Sequence, residues 1–153
     1  CYVGLNNFSL GTCFNTQVLI PSMLTTVVLW ANYPMTQVYQ HEEDVKRGDQ
    51  TLSVKLGIRG TFYFTALVFI IATFQFTFYF LEFHQMKYAI AFFIALAPVL
   101  IYFLFWFLKV FKDESFANYG YTMGLNYISA TCLNAFFIYL FLDSSQVLQV
   151  LLP

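Results

Sequence analysis

Charge is the scarcest property of this sequence. Asp, Glu, Lys and Arg together make up 10% of its 153 residues, whereas an average soluble domain has about 25%. The net charge is −1, which argues against nucleic acid as a partner because binding to a phosphate backbone needs a basic surplus. Hydrophobic residues reach 59% and aromatic residues 22%. This composition excludes an ordinary soluble domain.

The few charges are also unevenly placed along the chain. Four stretches contain no Asp, Glu, Lys or Arg: 1–41, 60–81, 88–108 and 115–142. About 20 consecutive apolar residues suffice for a helix to cross a bilayer, and these runs lack the short alternating pattern of barrel strands. We therefore predict an all-α fold, a polytopic membrane helical bundle surrounded by the lipid bilayer. The predicted spans are 16–39, 61–81, 88–108 and 119–142.

Cysteine is scarce as well. Cys1, Cys13 and Cys132 lie in apolar surroundings without CxxC spacing, which indicates neither a zinc site nor a redox motif. No signal peptide is visible, because no basic segment precedes an apolar run at the start. The sequence opens in apolar residues without a Met, so we expect a portion of a longer protein. We interpret 1–14 as the tail of an earlier membrane segment followed by a tight connection.

The basic residues predict the orientation of the bundle. Four of them lie in the segment 40–60, which we call the charged loop, and two lie in 109–118. The loop 82–87 has one, and the tail after Asp143 has none. Because basic loops face the cytoplasm, we predict that the charged loop is cytoplasmic and that the C-terminus lies on the opposite side.

A polar stripe leads from the first span into the charged loop. On a continuous helix, Tyr33, Gln37, Gln40 and Asp44 share one face. Polar groups at membrane depth are costly unless they face protein or a wet cavity. The stripe therefore predicts a surface that lines something other than lipid.

The charged loop itself has the composition of an anion and metal site. Glu42, Glu43 and Asp44 are consecutive and repel one another without a counter-charge, which a Mg²⁺ shared with a phosphate would supply. Lys46 and Arg47 follow within one turn, and Arg suits bidentate phosphate binding. The alternative interpretation is a solvated interfacial loop without a site.

Two short helices are predicted within the charged loop. Gly48 follows two cations and fits the position after a helix end. Thr51 fits the N-cap of a second helix, TLSVKL, which ends at Gly57.

One segment, residues 33–57, resembles the second Asp-rich region of the UbiA superfamily of intramembrane prenyltransferases. It reads YPMTQVYQHEEDVKRGDQTLSVKLG. Family members show DxxxD in a cytoplasmic loop, followed by a basic residue, Gly and a T-L-x-x-x-L-G tail. The positions shared with this pattern are Asp44, Lys46, Gly48, Thr51, Leu52, Leu56 and Gly57.

The resemblance implies a fold of nine membrane helices, with residues 1–153 as the C-terminal part of a single prenyltransferase domain. It also implies that the N-terminal half of the same protein is a partner and carries the family's first motif, NDxxDxxxD. That motif does not occur in this sequence. Because the family's chemistry needs both motifs facing one cavity, we expect this chain to be inactive alone.

The implied activity is transfer of a polyprenyl group from its diphosphate to a hydrophobic, often aromatic, acceptor. Mg²⁺ and basic residues would stabilise the departing pyrophosphate. The implied metal ligands are Asp44, Glu43 and Gln40, and the implied catalytic residues are Asp44, Lys46 and Arg47, of which Lys46 and Arg47 also bind the substrate's pyrophosphate. From the polar stripe we predict Tyr33 and Gln37 as further substrate-binding residues. Asn126, near the cytoplasmic end of the last span, is predicted to reach the cavity, with an interhelical hydrogen bond as the alternative.

Gln40 departs from the family pattern, because it stands where the DxxxD pattern begins with Asp. An amide oxygen offers a metal a ligand without a charge, so a degenerate, lipid-binding member of the family stays an alternative. A third alternative is a segment of a transporter or channel, with the charged loop as its gate and the polar stripe as its path.

Overall fold

The computed structural model describes residues 16–83 and 85–145, with side-chain burial described from residue 19 onward. All regular elements in these ranges are helical, which confirms the all-α bundle. The α-helices are α1 (Thr16–Gln37), α2 (His41–Arg47), α3 (Leu52–Phe83), α4 (Met86–Lys112) and α5 (Tyr119–Ser144), and 3-10 turns occupy Val38–Gln40 and Glu114–Phe116. The tail and connection predicted for 1–14 lie outside the described residues.

Three helices of the described ranges are long and apolar enough to cross a membrane. They are α3, α4 and α5, with 32, 27 and 26 residues, and they contain three of the four predicted spans. The remaining predicted span, 16–39, corresponds to α1, which is not among these three helices. Its crossing of the bilayer therefore stays a prediction, as does the side of the membrane on which the charged loop lies.

The lower apolarity of α1 comes from hydroxyl and amide side chains that bond within the helix. Thr25 donates to the Pro21 carbonyl at 2.8 Å, and Asn32 donates to the Val28 carbonyl at 3.1 Å. Such bonds to a preceding carbonyl satisfy polar groups without a partner helix. The helix is continuous from Thr16 to Gln37, with Pro21 and Pro34 inside it.

Aromatic rings fill the core between α3 and α4 near the charged loop. Phe62 packs edge-on against Trp106, with ring centroids 4.8 Å apart, and stacks on Phe107 at 5.5 Å. The buried Trp106 donates its indole N–H to the Phe116 carbonyl at 2.7 Å. Since apolar surface gains little by leaving lipid, such packing is the main cohesive interaction in a membrane bundle. Trp106 also positions the turn between α4 and α5.

Further contacts join α4 to α5 at both ends. At the end remote from the charged loop, Asp143 accepts from the Lys87 ammonium at 2.5 Å and from the Tyr88 hydroxyl at 2.6 Å. Nearer the charged loop, Gly124 leaves space for the hydroxyl of Tyr102, with which a Cβ at that position would collide. These contacts set the close approach of the two helices.

Candidate functional site

The charged loop follows α1 after a change in helical pitch. A 3-10 turn at Val38–Gln40 separates α1 from α2, and it has 3.0 residues per turn instead of 3.6. The predicted polar stripe is therefore divided: Tyr33 is exposed, whereas Asp44 is 3% exposed. A single continuous helix face does not connect the two residues.

Asp44 is the buried carboxylate of the charged loop. Its Oδ1 accepts a hydrogen bond from Arg47 Nη2 at 2.8 Å, and its Oδ2 accepts one from the Thr51 hydroxyl at 3.3 Å. The Thr51 oxygen in turn accepts from the Val54 N–H at 3.3 Å, so the predicted N-cap is present. One carboxylate thus connects α2 to the start of α3.

Two glycines of the charged loop, Gly48 and Gly57, have positive φ angles. Gly48 adopts φ +78° directly after α2, and the next amide, Asp49 N–H, donates back to the Asp44 carbonyl at 2.9 Å. Gly57 adopts φ 72° and ψ 167° within α3, which breaks the helix as the sequence predicted. The short helix before Gly57 is therefore a distinct unit.

Gly57→Ala is expected to destabilise the protein by about 1–3 kcal/mol, because only glycine readily adopts this backbone conformation. A Cβ at Gly57 meets nothing within 4 Å, so the loss comes from the backbone and not from a collision. The free energy of unfolding should be compared with that of Gly120→Ala, where a Cβ meets Asn118 at an ordinary 3.5 Å. Equal stability of the two variants would contradict the prediction.

Arg47 is bound by two carboxylates and still largely exposed. Its Nε lies 3.2 Å from Asp49 Oδ2, and 59% of its side chain is exposed. The hydrogen bond with Asp44 and then the charge of Asp49 raise the pKa of Arg47 above its ordinary value. Lys46 and Glu43 are also exposed. The charged loop therefore presents two cationic side chains: Arg47, which Asp44 holds in place, and Lys46, which precedes it in the chain.

The two glutamines of the stripe have different surroundings. Gln40 donates its amide to the Tyr39 hydroxyl at 3.1 Å, and the Tyr39 ring packs edge-on against Tyr119 of α5 at 5.3 Å. Gln37 has a buried Oε1 without a hydrogen-bond partner among the described residues. Asn126 lies on α5 and is half-buried, and its role in substrate binding stays a prediction.

Within the described ranges, no group of three or more His, Cys, Asp or Glu side chains could hold a metal ion by itself. Asp44 has both oxygens engaged once, and each keeps a further lone pair. Mg²⁺ usually takes one or two carboxylates together with waters and substrate phosphates. The free lone pairs of Asp44 are compatible with such a shared site, and the assignment of Asp44, Glu43 and Gln40 as Mg²⁺ ligands stays a prediction.

An open groove of about 810 Å³ runs beside this loop between α1 and α3. Its walls are mainly apolar and aromatic, and it reaches Leu52, the neighbour of Thr51. The residues that line it are Leu29, Trp30, Asn32, Tyr33, Thr36, Leu52 and Phe64.

Sequence reasoning missed the contacts that connect the two short helices. Thr51 was predicted as a cap but not as a partner of Asp44, and the contact of His41 Nδ1 with the buried Ser53 hydroxyl at 3.3 Å was not predicted. The sequence signal that could have indicated these contacts is the pair of hydroxyl residues, Thr51 and Ser53, at the start of the helix that follows the acidic helix α2.

A scan against protein-family models, a search of curated proteins and a search of solved structures each found no match to this chain.

Proposed function

We propose that this chain forms the pyrophosphate-binding part of a UbiA-type membrane prenyltransferase, which transfers a polyprenyl group from its diphosphate to a hydrophobic acceptor. The observation that carries the proposal is the buried Asp44 that orients a largely exposed Arg47, in a loop whose Leu52 lines an aromatic groove. The resemblance of residues 33–57 supports it. The N-terminal half of the same protein is the proposed partner that completes the cavity.

Arg47 and Lys46 bind the diphosphate in this proposal. A guanidinium has five N–H donors, and two atoms, Nη2 and Nε, contact Asp44 and Asp49. The remaining donors of Arg47 hydrogen-bond to phosphate oxygens, and the mobile ammonium of Lys46 adds a second positive charge. Asp44 holds the guanidinium in one orientation before substrate arrives.

The metal and the groove have separate roles. Mg²⁺ held by Asp44, with Glu43 and Gln40 as further donors, would neutralise negative charge on the departing pyrophosphate. The groove receives the apolar prenyl chain, and the faces of Tyr33 and Trp30 stabilise positive charge that develops on its first carbons.

The test is binding of geranylgeranyl diphosphate to the full-length protein in lipid nanodiscs, measured with and without Mg²⁺. We expect saturable binding that EDTA weakens at least tenfold and that inorganic pyrophosphate competes away. Lys46→Ala should weaken binding, whereas Lys112→Ala, a change at another exposed lysine, should not.

Three results would contradict the proposal in distinguishable ways. Absence of binding with Mg²⁺ rejects the site. Binding without pyrophosphate release in the presence of a range of aromatic acceptors indicates a degenerate, lipid-binding protein. Solute flux across liposomes without pyrophosphate release indicates a transporter or channel.

A further inference from the structure

An apolar groove runs along the outer seam between α3 and α4. Its volume is about 320 Å³, and its lining extends from Ala66 to Phe74 on α3 and from Leu100 to Leu104 on α4. The polar residue of the lining, Thr73, donates its hydroxyl to the Phe69 carbonyl at 2.7 Å. Since no side chain of the walls needs a polar partner, the groove is suited to hydrocarbon.

The dimensions of the groove fit one hydrocarbon chain. From Ala66 to Phe74 a helix rises about 12 Å, so a volume of about 320 Å³ corresponds to a mean cross-section of about 27 Å². A methylene chain, whose carbon atoms need about 4 Å in each direction, fits within this section. A helix is about 10–12 Å across and is too wide to enter the groove.

A cation lies on the same seam, two helical turns closer to α2. Arg59 precedes Ala66 by seven residues, and Phe111 follows Leu104 by seven, so each shares the helix face that lines the groove. The Arg59 guanidinium carbon lies 5.3 Å from the centre of the Phe111 ring, which places both side chains at the seam. Seven residues span about 10 Å, a length comparable to the headgroup region, which is about 5–8 Å thick on each side of a bilayer.

The guanidinium of Arg59 keeps donors for a phosphate. Its side chain is 48% exposed, and among the described residues only its Nε contacts a carboxylate, that of Glu114 at 3.0 Å. Such an exposed ion pair contributes about 0–1 kcal/mol, and the N–H donors of the two Nη atoms remain. Parallel N–H donors of this kind bind phosphate oxygens in pairs.

We propose that this seam binds an anionic phospholipid, with an acyl chain in the groove and the phosphate on Arg59. A zwitterionic phosphatidylcholine has the same phosphate but also a cation, which Arg59 repels. Basic residues predict that this end of the bundle is cytoplasmic, and the cytoplasmic leaflet carries the anionic lipids. The site is independent of the proposed function, whose diphosphate-binding residues Lys46 and Arg47 lie on α2.

The test compares two lipids on the full-length protein in detergent micelles. Dioleoyl phosphatidylglycerol and dioleoyl phosphatidylcholine, which have the same acyl chains, are added separately, and bound lipid is counted by native mass spectrometry. We expect phosphatidylglycerol to be retained about fivefold more, the size expected for one basic residue near anionic lipid. It should also raise Tm by about 2–4 °C, because it binds the folded state. Equal retention of the two lipids would overturn the proposal.

Two pairs of variants locate the site. Arg59→Gln should remove the preference for phosphatidylglycerol, whereas Lys55→Gln, a change at another exposed base of α3, should keep it. Ala66→Phe fills the groove and should lower retention of both lipids, whereas Leu67→Phe, at the exposed neighbouring position outside the groove, should not.

Two results would assign the groove to a different occupant. Unchanged lipid retention in Ala66→Phe would overturn the proposal and indicate that the N-terminal half or a second copy of the chain covers this face. Weaker binding of geranylgeranyl diphosphate by Arg59→Gln would also overturn it, because the groove would then hold the prenyl substrate. We expect that binding to be the same as in the unmodified protein.

Discussion

Under the proposed function, Asp44→Asn is expected to lower pyrophosphate release by the full-length protein by about 100-fold or more, the size of effect seen when one electrostatic group is removed from an active site. The asparagine keeps the shape of the side chain and one acceptor oxygen. It loses the negative charge that orients Arg47 at 2.8 Å and that a Mg²⁺ ion requires. Steady-state release of pyrophosphate from a prenyl diphosphate is the measurement.

Asp49→Asn provides the matched control for this change. Asp49 also contacts Arg47, at 3.2 Å, but its side chain is 51% exposed, and exposed ion pairs contribute about 0–1 kcal/mol. We expect turnover close to that of the unmodified protein. Membrane insertion and Tm should be recorded for both variants, because a loss of folded protein would imitate a loss of chemistry. Undiminished turnover in a folded Asp44→Asn protein rejects the site assignment.

Trp106→Ala is expected to cause the largest loss of stability, about 3–5 kcal/mol, the range for a large aromatic removed from a packed core. The indole is fully buried, contacts the Phe62 ring and donates to the Phe116 carbonyl. Its removal leaves a cavity between α3 and α4 and a carbonyl without its donor. The measurement is the free energy of unfolding in mixed micelles.

The chain offers its own control, because it has two tryptophans. Trp30 is 68% exposed on α1, so Trp30→Ala should change the free energy of unfolding little. Under the proposed function, this variant should instead bind the prenyl diphosphate more weakly, since Trp30 lines the groove. If Trp30→Ala and Trp106→Ala lower the free energy of unfolding by similar amounts, the prediction that the core between α3 and α4 depends on Trp106 is wrong.

The sequence predicted the three long apolar helices, because their signal is local. The uncharged runs 61–81, 88–108 and 119–142 lie within α3, α4 and α5, since the absence of charge over 20 residues is a property of each segment by itself. The cap at Thr51 and the break at Gly57 were likewise confirmed, because a capping hydroxyl and a glycine act on the backbone next to them.

The arrangement of the candidate site was less predictable, because it depends on contacts between segments. The burial of Asp44 results from the turn at Gly48, which brings Thr51 to a carboxylate seven residues earlier. The 3-10 turn before α2 shifts the helical phase. The residues predicted to form one stripe, from Tyr33 to Asp44, therefore do not share one helix face. Neither effect has a periodic signature in the sequence, and the roles given to these residues stay predictions.

The backbone break at Gly57 has a mechanical consequence. Membrane helices tilt to match bilayers of different thickness, and a continuous helix would transmit that tilt to everything attached to its end. The short helix before Gly57 carries the Thr51 and Ser53 contacts to Asp44 and His41, while the spanning part of α3 begins after it. In a bilayer-spanning α3, the break at Gly57 would separate a tilt of the apolar part from the ion pair and its hydrogen bonds.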